Sequence, residues 1–284
     1  MILLGGAASI ASVSTNKIHN NDDGTFSLDE VKQNIRGTDI HEPITQLVMV
    51  EQTHNMAGGK VVPLDWIEDL SKICKEHDIK IHMDGARIFN AAEYLKLPVS
   101  RLVRDVDSVC FCLSKGLSCP VGSILIGTTK FIDQARRLRK ALGGGMRQAG
   151  FLAAAGLCAL DTVVPKLGID HEHTRQLAEG IYGLKSSVFK VDLETLHTNI
   201  LMIKVNDPNN KITALDLSNR LAEVKDDEVA NGVCDEAQKP IMIKSSCKNL
   251  STLRVVIYTQ ITTELIQLAI KKVCYVMREL DNSL

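Results

Sequence analysis

Four short runs of nearly continuous apolar residues constrain this chain most: ITQLVMVE (44–51), IKIHMD (79–84), SVCFCL (108–113) and GSILIG (122–127). Each is bounded by turn-forming residues and is short for a helix. Continuous apolarity over so short a run suits a strand buried on both faces. Helical patterns separate the first three runs. LDWIEDLSKICKEH (64–77) puts Leu64, Ile67, Leu70 and Ile73 or Cys74 on one stripe with Pro63 just ahead, and 91–106 reads as helix, turn, helix. Strands joined by crossovers this long pair in parallel, which predicts an α/β sheet.

The texture changes after Gly127. A basic helix (130–142) leads through GGGMRQAG (143–150) into FLAAAGLCALDTVVPKL (151–167), which is apolar on nearly all sides and is therefore expected to be buried. An amphipathic helix follows, then strands expected at 198–205, 240–246 and 253–259 and helices near 212–224 and 262–280. The expected organisation is a large unit over 1–168 and a smaller α+β unit over 169–284.

Its 284 residues are enough to bury a sizeable core. A net charge of −1 and 4% aromatic residues give no electrostatic or stacking case for nucleic acid, and the charge gives none for an anionic membrane. No apolar run is expected to reach the length of a membrane span. The opening MILLGGAASIASVS lacks the basic start of a secretory signal and reads like the interior of a domain. The expected compartment is the cytoplasm, where the eight cysteines would be free thiols.

Two residues stand at predicted strand ends with chemistry to offer. Lys115 sits between Ser114 and Gly116 just after the third run, and Asp84 closes the second run in HMDGAR, followed by Arg87. Alone, Lys115 reads equally as a surface lysine in a turn, and Asp84 as a helix cap paired with Arg87. Binding sites of parallel sheets lie at the carboxyl ends of strands. An aspartate aimed at a pyridinium nitrogen and a lysine aimed at an aldehyde are what pyridoxal phosphate requires. The polar loop EQTHNMAGGK (51–60) adds His54, and GTDIHEP adds His41, as acid–base candidates. GGGMRQAG does not follow a dinucleotide fingerprint but can hold an anion or permit close packing. Arg254 begins the last strand, where a guanidinium can fork onto a carboxylate. Cys110, Cys112 and Cys119 lack the knuckle spacing of a zinc site, so no metal is expected.

HMDGARIFNAA, CFCLSKGLSCPVGSILIG and ALGGGMRQAGFLAAAGLCAL closely resemble the low-specificity L-threonine aldolases of the beta-eliminating lyase group. EQTHNMAGGKVVP resembles that family's E-N-T-H-N loop, with Gln52 in place of asparagine. The resemblance runs from about Gly5 to about Met277 and implies a fold-type I pyridoxal phosphate enzyme with a parallel-rich sheet. It implies a small-molecule amino-acid substrate, cleavage of L-threonine or L-allo-threonine to glycine and acetaldehyde, and a homodimer or homotetramer. By match, Lys115 would bind the cofactor covalently and Asp84 would pair with its ring nitrogen. Arg87 and Arg254 would hold the substrate carboxylate, and His41 would stand near the substrate hydroxyl. Lys140 and Arg147 would lie close to the active site. The chain departs from the family in two ways. LLGGAASIASV resembles a stretch well inside the family's large domain, so the segment that supplies the phosphate loop and the ring-stacking histidine has no match here. Tyr258 stands where the family has a histidine. Two alternatives therefore accompany the aldolase reading. One is a silent or truncated subunit with weak or no cofactor binding, and the other is a lyase that eliminates a β-substituent.

Overall fold

The computed structural model describes residues 4–37 and 39–283, so the first three residues of the apolar opening lie outside it. Among the described residues there are two sheets, each with its own apolar core. The first contains β1 (Leu47–Glu51), β2 (Lys80–Asp84), β3 (Ser108–Cys112) and β4 (Ser123–Ile126) in that order. β1, β2 and β3 pair in parallel, as their helical crossovers require, and β4 returns antiparallel to β3. Leu113 to Gly122 is too short for a crossover, so the chain can only turn back on itself.

The apolar patterning accounts for the packing. α1 (Leu4–Ala11) is exposed over its described side chains except the half-buried Ala7, and α2 (Leu28–Asn34) is capped by the Ser27 hydroxyl, which accepts the Glu30 N–H. α3 (Leu64–Glu76) buries the expected stripe of Ile67, Leu70, Ile73 and Cys74 against Val50, Ile81 and Val109 in one core. α4 (Ile88–Leu95) and the short α5 (Val99–Leu102) realise the helix–turn–helix reading of 91–106, with Lys96 in the left-handed region as the break. α6 (Thr129–Ala141) has no buried residue.

The expectation that 151–167 is buried is overturned. α7 (Gly150–Thr162) buries only Gly156 and Ala159, while Phe151 is 69% and Leu157 66% exposed. β4 is exposed along its whole length. The all-round apolar pattern is real, but among the described residues only one edge of the helix is packed, with Ala155, Ala159 and Leu160 on the first core and Gly156 over Leu113. α7 runs almost directly into α8 (Leu167–Tyr182), and Gly150–Tyr182 is long and apolar enough to cross a membrane by length and composition. This corrects the reading that nothing reaches that length. The span includes Asp161, Lys166 and Asp170, and its second half buries Leu167, Leu177, Ala178 and Ile181 in the protein interior, as a core helix does.

α8 packs on α4 of the first unit and on α11 (Thr263–Asp281) of the second. The second sheet is antiparallel, ordered β5 (Phe189–Lys190), β6 (Ile200–Val205), β8 (Thr252–Val256) and β7 (Ser246–Asn249). The strand expected at 240–246 is displaced to β7. Pro240 lacks an N–H and forms only an isolated bridge with Cys234, and Ile243 donates to Leu221 O instead of to a neighbouring strand. α9 (Ala214–Ala222) begins with a capping box between Thr213 and Asp216.

α10 (Asp226–Ala230) is tied to α11 by a buried ion pair. Lys272 Nζ donates to both Glu228 oxygens at 2.6 Å and to Glu223 O at 2.7 Å, while Arg220 bridges Glu228 to Glu279. Removing one partner strands a buried charge. We expect Lys272→Met to cost about 3–5 kcal/mol in urea denaturation, and Glu228→Leu in the same chain to recover part of it.

Candidate active site

Parallel pairing puts the carboxyl ends of β1, β2 and β3 on one edge. Glu51 and Asp84 face each other in register, and Lys115 follows two residues beyond Leu113. Gly85 can follow Asp84 only because it has no side chain: a Cβ there would sit 2.9 Å from Cys110 O. The Ala86 N–H donates to Asp84 Oδ1 at 3.1 Å, and the Cys110 thiol reaches the same oxygen at 3.8 Å. Burial, then the Asp84 charge, pushes the Cys110 thiol up to about 11, which leaves it protonated beside the carboxylate. All eight cysteines are free, and no group of side chains among the described residues is arranged to hold a metal.

Lys115 sits in a tight loop in which Ser118 N–H donates to Lys115 O at 2.8 Å and Ser118 adopts a positive φ of 58°. The lysine side chain is exposed, so the small neighbours do open space around it. Behind the loop, a Cβ on Gly116 would meet Asn90 Nδ2 at 3.1 Å. Asn90 is buried, and its Oδ1 accepts the His171 Nε2–H at 2.9 Å, which fixes the imidazole tautomer. The lysine loop is thus backed by α4 and, through Asn90, by α8.

The 52–62 loop joins the two units. The Gln52 amide donates to Val62 O and accepts Val62 N–H, both at 3.0 Å, so the glutamine found in place of asparagine closes the loop like a pair of strand bonds. The second unit clamps the same loop. Thr198 Oγ1 donates to Gly59 O, His197 Nδ1 accepts Val61 N–H, and Lys248 Nζ donates to Met56 O. His197 also stacks on Tyr94, with ring centroids 4.5 Å apart. Arg254 arrives from β8 and donates to Asn55 Oδ1 at 2.7 Å, while its buried Nε has no partner.

Arg87, at the start of α4, lies within electrostatic reach of Arg254. Burial first and the Arg254 charge second hold its pKa below the usual guanidinium range, against the pull of Glu51 and Asp84. Burial likewise lowers Arg254. Asp84, Arg87, Lys115 and Arg254 lie within electrostatic reach of Glu51, a residue that the sequence reading passed over and whose one salt-bridge-range partner among the described residues is His54 at 3.9 Å. Its signal was available, since it ends β1 as Asp84 ends β2. His41 is not brought to this cluster: it sits exposed in a turn ahead of the opposite end of β1, its backbone N–H donating to Asp39. Lys140 and Arg147 are exposed on α6 and on the loop before α7.

His171 offers a pH test of the brace behind Lys115. Burial holds its pKa at about 4, below the ordinary value of about 6.5. As pH falls from 6.5 towards 4 the unfolded chain binds this proton and the folded chain does not, so stability is lost over that window. His171→Gln removes the effect, and we expect the variant to lose less stability than wild type on that descent, by an amount on the order of 2 kcal/mol. Urea denaturation at a series of pH values reads the difference.

The Beta-eliminating lyase family model matches residues 3–208. The low-specificity L-threonine aldolase 1 of Arabidopsis thaliana is 39% identical over 262 residues, covering 91% of this chain and 67% of that protein. The low specificity L-threonine aldolase of Escherichia coli strain K12 is 40% identical over 205 residues, covering 72% of this chain and 59% of its own length. The chain thus spans about three fifths of the length of the curated relatives it matches. The solved threonine aldolase of Leishmania major superposes with a TM-score of 0.65 at 17% identity, covering 98% of this chain and 76% of that one.

Proposed function

This chain belongs to the beta-eliminating lyase family and has the fold-type I architecture of pyridoxal phosphate enzymes, and we propose that it cleaves L-threonine and L-allo-threonine to glycine and acetaldehyde. The observation that carries this reading is the pair Asp84 and Lys115 at adjacent strand ends, with two arginines held nearby by different units. We propose that the units divide at residues 168 and 169, close to the start of α8.

The residues fit pyridoxal phosphate by their chemistry. The Asp84 carboxylate makes no salt bridge among the described residues and is open to a protonated ring nitrogen, and the Lys115 amine is accessible to an aldehyde. The unpartnered Arg254 Nε fits a carboxylate ligand. When bound, pyridoxal phosphate supplies a sink for the electron pair released at the substrate α-carbon. Asp84 would pair with the ring nitrogen and keep it protonated. Lys115 would hold the cofactor through its aldehyde. Arg87 and Arg254 grip the carboxylate from two directions, which orients the Cα–Cβ bond for cleavage. Asn55 fixes the Arg254 fork for this purpose.

His41, Lys140 and Arg147 keep their substrate-side roles in this proposal only in an assembly. Val121, Met146, Phe151 and Leu157, with Leu138 and Leu142 towards the end of the basic α6, leave α7 and the edge beyond β3 apolar and exposed, a surface typical of an interface. That surface supports a homodimer or homotetramer, and we propose that the assembly acts on a small amino acid in the cytoplasm. Sedimentation velocity on wild type and a Phe151→Asp/Leu157→Asp variant checks it: wild type is expected above monomer mass, and the variant is expected to shift towards monomer.

The central test is borohydride reduction in the presence of pyridoxal phosphate. Covalent label is expected on Lys115 and absent in Lys115→Ala, alongside glycine formation from threonine that the variant lacks. A folded wild-type chain that takes no label would instead favour the silent-subunit reading.

A further inference from the structure

Asp84 is held by only one of its two carboxylate oxygens. Oδ1 accepts the Ala86 N–H at 3.1 Å and the Cys110 thiol at 3.8 Å, within the longer reach of a sulfur donor. Oδ2 has no hydrogen-bond donor among the described residues. The pairing of β2 with β3 explains the arrangement. Asp84 and Cys110 are register partners in a parallel ladder, so their side chains leave the sheet on the same face. The Cys110 carbonyl also accepts the Gly85 N–H at 2.7 Å, and a Cβ on Gly85 would lie 2.9 Å from that oxygen. Cys110 thus touches both the carboxylate and the turn that follows it.

The sequence reads Cys110 as a small packing residue. A filler has no need of a polar neighbour, and Cys112, two residues on along the same face of β3, makes no side-chain hydrogen bond among the described residues. The contact is therefore particular to position 110. The thiol is its donor, because an ionised carboxylate can only accept. Burial and then the Asp84 charge keep that thiol protonated, at about 11. We propose that Cys110 is a positioning residue of this site: its thiol and the Ala86 N–H together occupy Oδ1 of Asp84 and leave Oδ2 free for the ring nitrogen of pyridoxal phosphate.

This rests on reading Asp84 as the partner of that nitrogen. One donor alone leaves a carboxylate able to swing about its Cβ–Cγ bond. Two donors from different directions, one on the following turn and one on the neighbouring strand, hold it in place. A carboxylate already fixed loses less freedom when the cofactor binds, so the affinity is higher. Cys110 transfers no proton in this role and acts only through Asp84.

Equilibrium dialysis tests it with two ligands, pyridoxal phosphate and the analogue in which C–H replaces the ring nitrogen. Cys110→Ala is expected to weaken pyridoxal phosphate about fivefold, the effect of one hydrogen bond, and to leave the analogue unchanged. Cys110→Val, which fills the space without a donor, is expected to show the same selectivity. Cys110→Ser keeps a donor and is expected to stay within about twofold of wild type. In an Asp84→Ala chain, Cys110→Ala is expected to change neither affinity. Equal losses for the two ligands, or pyridoxal phosphate affinity unchanged in folded Cys110→Ala or Cys110→Val chains, overturns the inference alone. A folded wild type that takes up no pyridoxal phosphate, or binds it no better than the analogue, overturns the Asp84 reading and the inference together.

Discussion

Everything at the site depends on the parallel registration of β1, β2 and β3. Leu47 to Glu51 pair with Lys80 to Asp84, and His82 to Asp84 pair with Ser108 to Cys110. One face of that ladder, with Val50, Ile81, Met83, Val109 and Phe111, is buried in the core, so a one-residue slip would turn core residues outward. The register is thus set by hydrophobic burial far from any chemistry. Its consequence is that two carboxylates, Glu51 and Asp84, come to rest beside each other at the open edge, with Lys115 beyond the next strand. Like charges placed so close need cations, and the site supplies three.

The cations come from separate places. Arg87 starts a helix of the first unit, Lys115 ends a strand loop and Arg254 lies on a strand of the second unit. The 52–62 loop makes this possible: Gln52 closes it internally while Thr198, His197 and Lys248 pin it from outside. Asn55 in that loop then receives Arg254. A charged cluster assembled across two cores is sensitive to how those cores sit, and α8, packed on both, carries that dependence through His171 and Asn90 to the lysine loop. The site is therefore built from the rigid ends of regular elements, with one clamped loop closing it.

The broad exposed face over β4, α6 and α7 shows the opposite behaviour. A pattern of apolar residues reports that a helix is to be covered, but not by what. In 151–167 the pattern called for burial, and among the described residues only the edge with Ala155, Gly156, Ala159 and Leu160 packs on the first core. The same logic explains β7. Apolar alternation over 240–246 looked like a strand, but a strand needs a partner with free ladder groups, and the partner β8 pairs instead with 246–249.

Local order was legible where the pattern and its partner lie in the same stretch of chain. The strands at 44–51, 79–84 and 108–113, the α3 stripe and the positions of Asp84 and Lys115 follow from apolar period, turn residues and the strand-end rule. The likeness to the threonine aldolases added the pairing of Arg87 with Arg254, which no local signal contains. Tertiary structure alone decided that Glu51 lies within electrostatic reach of Arg87 and Arg254, that Gln52 closes its loop and that Arg254 reaches Asn55 across 199 positions. Each of these is an electrostatic or hydrogen-bond relation between groups remote in sequence. Hydrophobic period determines which face of an element is hidden, but the distances between charges are set only when the two cores have packed.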